Sequence, residues 1–181
     1  MNLFIINGMP QSGKSTFAEM CCDFVGPYGL NLSTVDLVKD LARQAGWNGQ
    51  KTGEERAKLA AFKDCLTRWW DSPFQDVTTK AELFEFDLLA RDAPLPALVF
   101  IHCREPQEIR RFVYERNART ILVRRQAIES EMTTNAADAG VFDYPNYDLT
   151  IHNDGTLEDL QAQAEAFCTK LGYKRCKFLH N

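Results

Sequence analysis

The chain has 181 residues, 45% of them hydrophobic and 25% charged, with a net charge of −4. That length suits one compact domain with its own core, and the acidic balance argues against a protein that coats nucleic acid without specificity. No apolar run approaches the ~18 residues of a membrane span, and the N-terminus lacks the basic lead and long apolar stretch of a secretory signal. A soluble cytoplasmic protein with no membrane partner is expected, in the host cytoplasm if the chain is viral.

Leu3–Asn7 reads as a first strand, followed by Gly8-Met9-Pro10-Gln11-Ser12-Gly13-Lys14-Ser15 and an amphipathic segment from Thr16. Strand, glycine loop and helix with G-x-x-x-x-G-K-[ST] spacing match a P-loop; the alternative is a plain strand-to-helix turn with an exposed lysine. Gly8 and Gly13 permit a curl of successive N–H groups around a phosphate, and the helix start adds partial positive charge. Gly8, Gln11, Ser12, Gly13, Lys14, Ser15 and Thr16 are therefore candidate binding residues for ATP. Lys14 can reach the β- and γ-phosphates, and Ser15 can hold Mg2+.

Helix one is expected over about Ser15–Val25, with a stop at Gly26-Pro27. Leu30–Thr34 reads as strand two and Val35–Ala45 as a helix ended by Gly46. A polar loop, Gly46–Gly53, leads to a helix over Glu54–Trp70 that Ser72-Pro73 breaks. Lys80–Arg91 is a further helix, ended by Pro94 and Pro96. Leu98–Cys103 has the continuous apolar character of a buried parallel strand.

Pro106–Asn117 is a helix with proline in its first turn, and Thr120–Val123 a strand. Gln126–Tyr147 is polar with weak periodicity, and 126–147 is the candidate flap of a single domain spanning 1–181. Leu149–His152 is the last strand, Asn153-Asp154-Gly155 a turn, and Thr156 begins a capped helix reaching Leu171. Tyr173–Asn181 is a basic, aromatic tail, either an edge strand or frayed.

Alternating strands and helices imply a three-layer α/β P-loop NTPase fold, with a mainly parallel five-stranded sheet between helices. Ligands bind such sheets at the carboxyl ends of strands. Five strand ends should therefore surround one crevice: Gly8–Ser15, Thr34–Asp36, Cys103–Glu105, Arg124–Arg125 and Asn153–Gly155.

Asp36 stands at a helix start, where it can orient an acceptor hydroxyl as general base or serve as helix cap and charge. Lys39, one turn on, can meet an anionic acceptor or simply be solvated. Arg104 can bind acceptor phosphate or a transition-state oxygen, and Glu105 can orient a magnesium-bound water; a surface pair is the alternative. Arg124 and Arg125 can neutralise charge developing on the γ-phosphate, and Asn153 and Gly155 lie where the nucleotide base packs.

Seven arginines crowd residues 104–125 without a lysine, a pattern open to phosphate binding or to a solvated face, which is the expectation for Arg110, Arg111 and Arg116. Trp69-Trp70 are expected to pack between helices, and His102 to be a satisfied core residue. The six cysteines have neither zinc spacing nor C-x-x-C pairs and are expected reduced and mostly buried. The guanine-reading N-K-x-D pattern is absent, which disfavours a GTPase.

The P-loop with Ser33-Thr34-Val35-Asp36 and Lys39 resembles the nucleoside-monophosphate-kinase-like branch of P-loop kinases. In that resemblance Arg104 stands for the acceptor-binding arginine, and Arg124 and Arg125 for lid arginines. The T-V-D-x-V-K segment with Gly46-Trp47-Asn48-Gly49, the Cys103-Arg104-Glu105-Pro106 run and Asn153-Asp154-Gly155-Thr156-Leu157 look more like phage deoxynucleotide kinases. They are similar to those that phosphorylate 5-hydroxymethyluracil in phage DNA. The resemblance implies ATP and Mg2+, an Asp36-activated hydroxymethyl oxygen, and arginines that partly track DNA phosphates. The alternative acceptors are a free deoxynucleoside monophosphate or another small metabolite.

Overall fold

The structure, a computed structural model, describes residues 1–50, 52–131, 141 and 143–176. Five strands form one sheet: β1 (Asn2–Gly8), β2 (Gly29–Ser33), β3 (Leu98–His102), β4 (Arg119–Arg124) and β5 (Leu149–His152). Their order is β2-β3-β1-β4-β5 and every pairing is parallel. Ile5 lies opposite Ile101 on one side and Thr120 on the other, so the glycine-loop strand is the centre of the sheet.

The side chains of β1 alternate between two cores, as period-2 geometry requires. Phe4 and Ile6 join Phe17, Phe100, Ile121 and Leu160 beneath α1 (Lys14–Val25) and the last helix. Leu3 and Ile5 join Phe74, Val77, Ile101 and Phe112 on the opposite face. Both faces are covered, which is why the middles of β1 and β3, Leu3–Ile6 and Leu98–Ile101, are continuous apolar runs.

Between β2 and β3 the chain inserts α2 (Asp36–Gln44), α3 (Gly53–Trp70) and α4 (Ser72–Ala90). The helix expected from Lys80 begins eight residues earlier, because Pro73 occupies its first turn, where proline needs no amide partner. Asp71, at φ 56°, makes the corner between α3 and α4. Trp69 and Trp70 correct another expectation: they are 64% and 66% exposed and pack edge to face on each other rather than between helices.

α5 (Pro106–Arg116) follows β3, α6 (Gln126–Glu131) follows β4, and α7 (Leu157–Lys170) follows β5. Thr156 and Asp159 close a reciprocal capping box at the start of α7. Tyr173 is buried: its hydroxyl accepts from Asn2 and donates to Pro96 O. Residues 177–181 of the tail, and 132–140 and 142 of the flap, lie outside the described residues. Cys21, Cys103 and Cys168 are buried free thiols, Cys22 and Cys176 half-buried, and Cys65 exposed. Burial pushes the Cys21 and Cys103 thiols up and Cys22 to about 12, which leaves them poorly nucleophilic. Among the described residues no helix is long and apolar enough to cross a membrane.

Candidate functional site

The parallel order brings all five strand ends to one edge, and a cavity of about 360 Å3 opens there over the start of α1. It is lined by Gln11, Gly13, Lys14, Ser15 and Thr16 from the glycine loop, by Arg125 after β4, and by Asn153, Gly155, Thr156 and Leu157 after β5. Its size falls within the range of small-molecule sites. Lys14 Nζ donates to Met9 O across the loop at 3.2 Å.

The loop's shape is held from outside. Gly13 has φ +93°, and a Cβ there would run into the Asn153 side chain. Asn153 Nδ2 donates to Ser12 O at 2.9 Å, while Asn153 N donates to Arg124 O at 2.8 Å. Asn153 thus ties β4, β5 and the glycine loop together, a role its place after the last strand does not announce. Gly8, at φ +154°, faces Val123 O and Ser12 Oγ where a side chain would point. Ser12 Oγ is buried without a hydrogen-bond partner, and Ser12 does not line the cavity.

Arg124 and Arg125 part ways. Arg125 lines the cavity. Arg124 makes a forked pair with Glu129, 2.5 Å at its shortest. Gln126 N donates to Asp154 Oδ1 at 2.6 Å, which fastens the start of α6 to the loop carrying Asn153 and Gly155.

The ends of β2 and β3 lie on the other side of the glycine loop, and Asp36 and Arg104 do not line the cavity. Asp36 Oδ2 accepts Ser33 N at 2.9 Å, and Oδ1 is 3.7 Å from Lys39 Nζ. It is 43% exposed, so one carboxylate caps the turn and also faces solvent. His102 Nε2 lies 2.9 Å from Asn31 Oδ1. Burial, helped by the charges of Lys14, Lys39 and Arg104, pushes its pKa down to about 4, which keeps the ring neutral. Behind Arg104 and Glu105, Glu108 takes Lys63 at 2.6 Å and the Cys103 thiol at 3.3 Å, linking α3 to the base of α5.

The arginine stretch is not the solvated face expected for Arg111 and Arg116. Arg111 is bidentate to Asp71 at 2.6 and 2.7 Å and lies over the Phe74 ring at 3.6 Å. Arg116 pairs with Glu82. Carboxylates 34 to 40 positions upstream, on elements that share no motif with α5, form these pairs.

Among the described residues, no group of three or more His, Cys, Asp or Glu side chains could hold a metal ion. Ser15, which lines the cavity beside Lys14, offers a hydroxyl oxygen of the kind that can join phosphate and water oxygens around Mg2+.

A glycine loop between a central parallel strand and a buried helix, beneath a polar cavity, defines a P-loop nucleotide-binding α/β fold. Three solved structures align along most of the chain. A Chloroflexus aurantiacus protein provisionally assigned as a kinase aligns over 93% of this chain and 96% of its own, with a TM-score of 0.50 at 10% identity. A sugar kinase from Janibacter aligns over 93% and 95%, with a TM-score of 0.44 at 15% identity. The dephospho-CoA kinase of Campylobacter jejuni aligns over 94% and 97%, with a TM-score of 0.47 at 14% identity. At such identities the first of these is a likeness of fold, and the other two scores fall below one half. No family model matches the chain, and a search of curated proteins finds no match.

Proposed function

We propose that the protein is an ATP-dependent phosphotransferase that moves the γ-phosphate to a nucleotide-type acceptor. The carrying observation is the cavity where Gln11–Thr16 meet Arg125 and Asn153–Leu157. Loop amides and Lys14 take the triphosphate, while Arg125 and the 153–157 loop take the base side. Ser15 would hold Mg2+, which offsets phosphate charge when bound. The acceptor approaches from the β2 and β3 ends. There Asp36 receives the hydroxyl proton and Arg104 with Lys39 meets acceptor charge.

The first acceptor to test is the hydroxymethyl group of 5-hydroxymethyl-deoxyuridine in DNA, which rests on the sequence resemblance. It requires a flipped or accessible base, since the hydroxyl must come in line with the γ-phosphate. A free deoxynucleoside monophosphate is the second. It is favoured by the carboxylate pairs of Arg111, Arg116 and Arg124, which commit three cations of the band. The test offers γ-labelled ATP and Mg2+ with modified duplex DNA, matched thymine DNA and a panel of free monophosphates. Label on the modified DNA alone assigns a DNA-base kinase. Label on a monophosphate assigns a nucleotide-pool kinase. Label on none of them overturns the nucleotide-type acceptor.

A further inference from the structure

A chain of three hydrogen bonds runs from the first residue of the glycine loop through Asn7 and Tyr147, 140 positions apart, to the carbonyl of Val141. Gly8 N donates to Asn7 Oδ1 at 2.8 Å, Asn7 Nδ2 donates to Tyr147 Oη at 2.8 Å, and Tyr147 Oη donates to Val141 O at 3.1 Å. The direction of every bond is fixed by chemistry. A backbone N–H only donates, so the Asn7 oxygen must face Gly8 and its NH2 must face Tyr147. The tyrosine proton is then left for Val141. Asn7 is fully buried, and its carboxamide has no water to fall back on. Burial pushes the Tyr147 hydroxyl up to about 12, so it keeps its proton at working pH. The Tyr147 ring is itself braced edge to face by Tyr144 at 5.0 Å.

Gly8 is the point where β1 gives way to the phosphate loop. The loop is held at its far end by Asn153; at its near end the holding group is the Asn7 carboxamide. We infer that Tyr147 is a positioning residue for the phosphate loop: through Asn7 it fixes the Gly8 amide, and so links Tyr147 and Val141 to triphosphate binding. The binding half of this inference rests on the phosphotransferase reading; the hydrogen-bond half does not.

Tyr147→Phe removes one hydroxyl and keeps the ring. Tyr144→Phe removes the neighbouring hydroxyl, outside the chain, and is the control. Three quantities are measured on each full-length protein: Mg-ADP affinity by calorimetry, hydrogen exchange at the Gly8 amide by NMR, and the unfolding midpoint without ligand. Tyr147→Phe should weaken Mg-ADP by about fivefold to tenfold, the size of one buried hydrogen bond. It should also speed Gly8 exchange, while Tyr144→Phe does neither. Asn7→Ala should weaken Mg-ADP too, and Tyr147→Phe added to it should cost nothing more, since both act through one path. Unchanged Gly8 exchange in Tyr147→Phe overturns the inference, whether or not Asn7→Ala folds. So does a lowered midpoint with Mg-ADP affinity within about twofold of the unsubstituted protein, the pattern of a merely structural role. Failure of the unsubstituted protein to bind Mg-ADP overturns the phosphotransferase reading instead, and Gly8 exchange then judges the hydrogen-bond chain alone.

Discussion

Gly13→Ala tests the clamp on the phosphate loop, and Gly46→Ala is its internal reference. Both glycines have strongly positive φ, +93° and +101°. Forcing alanine into that region costs about 1–2 kcal/mol, partly offset by about 0.4–1 kcal/mol from a stiffer unfolded chain. A Cβ at Gly46 meets nothing within 4 Å, so its cost ends there. A Cβ at Gly13 displaces Asn153 and breaks the 2.9 Å bond to Ser12 O, and a buried carbonyl left without its donor adds about 1–3 kcal/mol. Gly13→Ala should therefore exceed Gly46→Ala by about 1–3 kcal/mol in urea unfolding. Where the displacement is expressed at the site, it should also weaken Mg-ADP about five- to 150-fold. Calorimetry and equilibrium unfolding on the two variants measure both quantities. Equal losses in the two variants would refute the clamp.

Lys14→Ala should abolish phosphate transfer with the unfolding midpoint little changed, because alanine suits the first turn of α1 and the lost side chain lines the cavity rather than the core; near-normal turnover would remove the central assignment. Asp36→Asn keeps an oxygen to accept Ser33 N and removes the charge, so transfer should fall about 10²–10⁴-fold while ATP affinity holds. Equal losses in rate and affinity would assign Asp36 to structure. Arg111 holds the Asp71 carboxyl below the usual carboxylate range. The stability this contributes is complete above the unfolded-state value near ~4 and is lost as pH falls through the lower folded-state value. Arg111→Ala should cost about 1–3 kcal/mol at neutral pH and flatten the acid limb of stability; an unchanged limb would place the linkage elsewhere.

The parts of the fold that local chemistry writes were legible. The run Leu3–Ile6, Gly13 before Lys14, Pro106 in its first turn and the Thr156 capping box each carry their own signal within a few residues. What escaped depends on partners far along the chain. Ser72-Pro73 reads equally as a stop or a start, and the Asp71 corner decides between them. Arg111 looks like surface until Asp71 and Phe74 come beside it. Asn153 was readable as a residue of the crevice, but its hold on Ser12 O required the loop's φ values. Asn7 and Tyr147 gave no signal at all, since a buried asparagine in a strand and a tyrosine in a polar stretch are each unremarkable alone.

The all-parallel sheet also has a practical consequence for handling the molecule. Met1, Asn2 and Pro96 gather with Tyr173 at the amino edge of the strands. With ~3.3 Å per residue, the seven residues of β1 put roughly 20 Å between that edge and the phosphate loop. An affinity tag or surface tether joined ahead of Met1 would sacrifice the pair between its amine and Glu85, a contact at the opposite pole from the cavity. An immobilised protein oriented this way presents its crevice outward, so binding at the cavity can be tested on a sensor chip without the attachment point shadowing it.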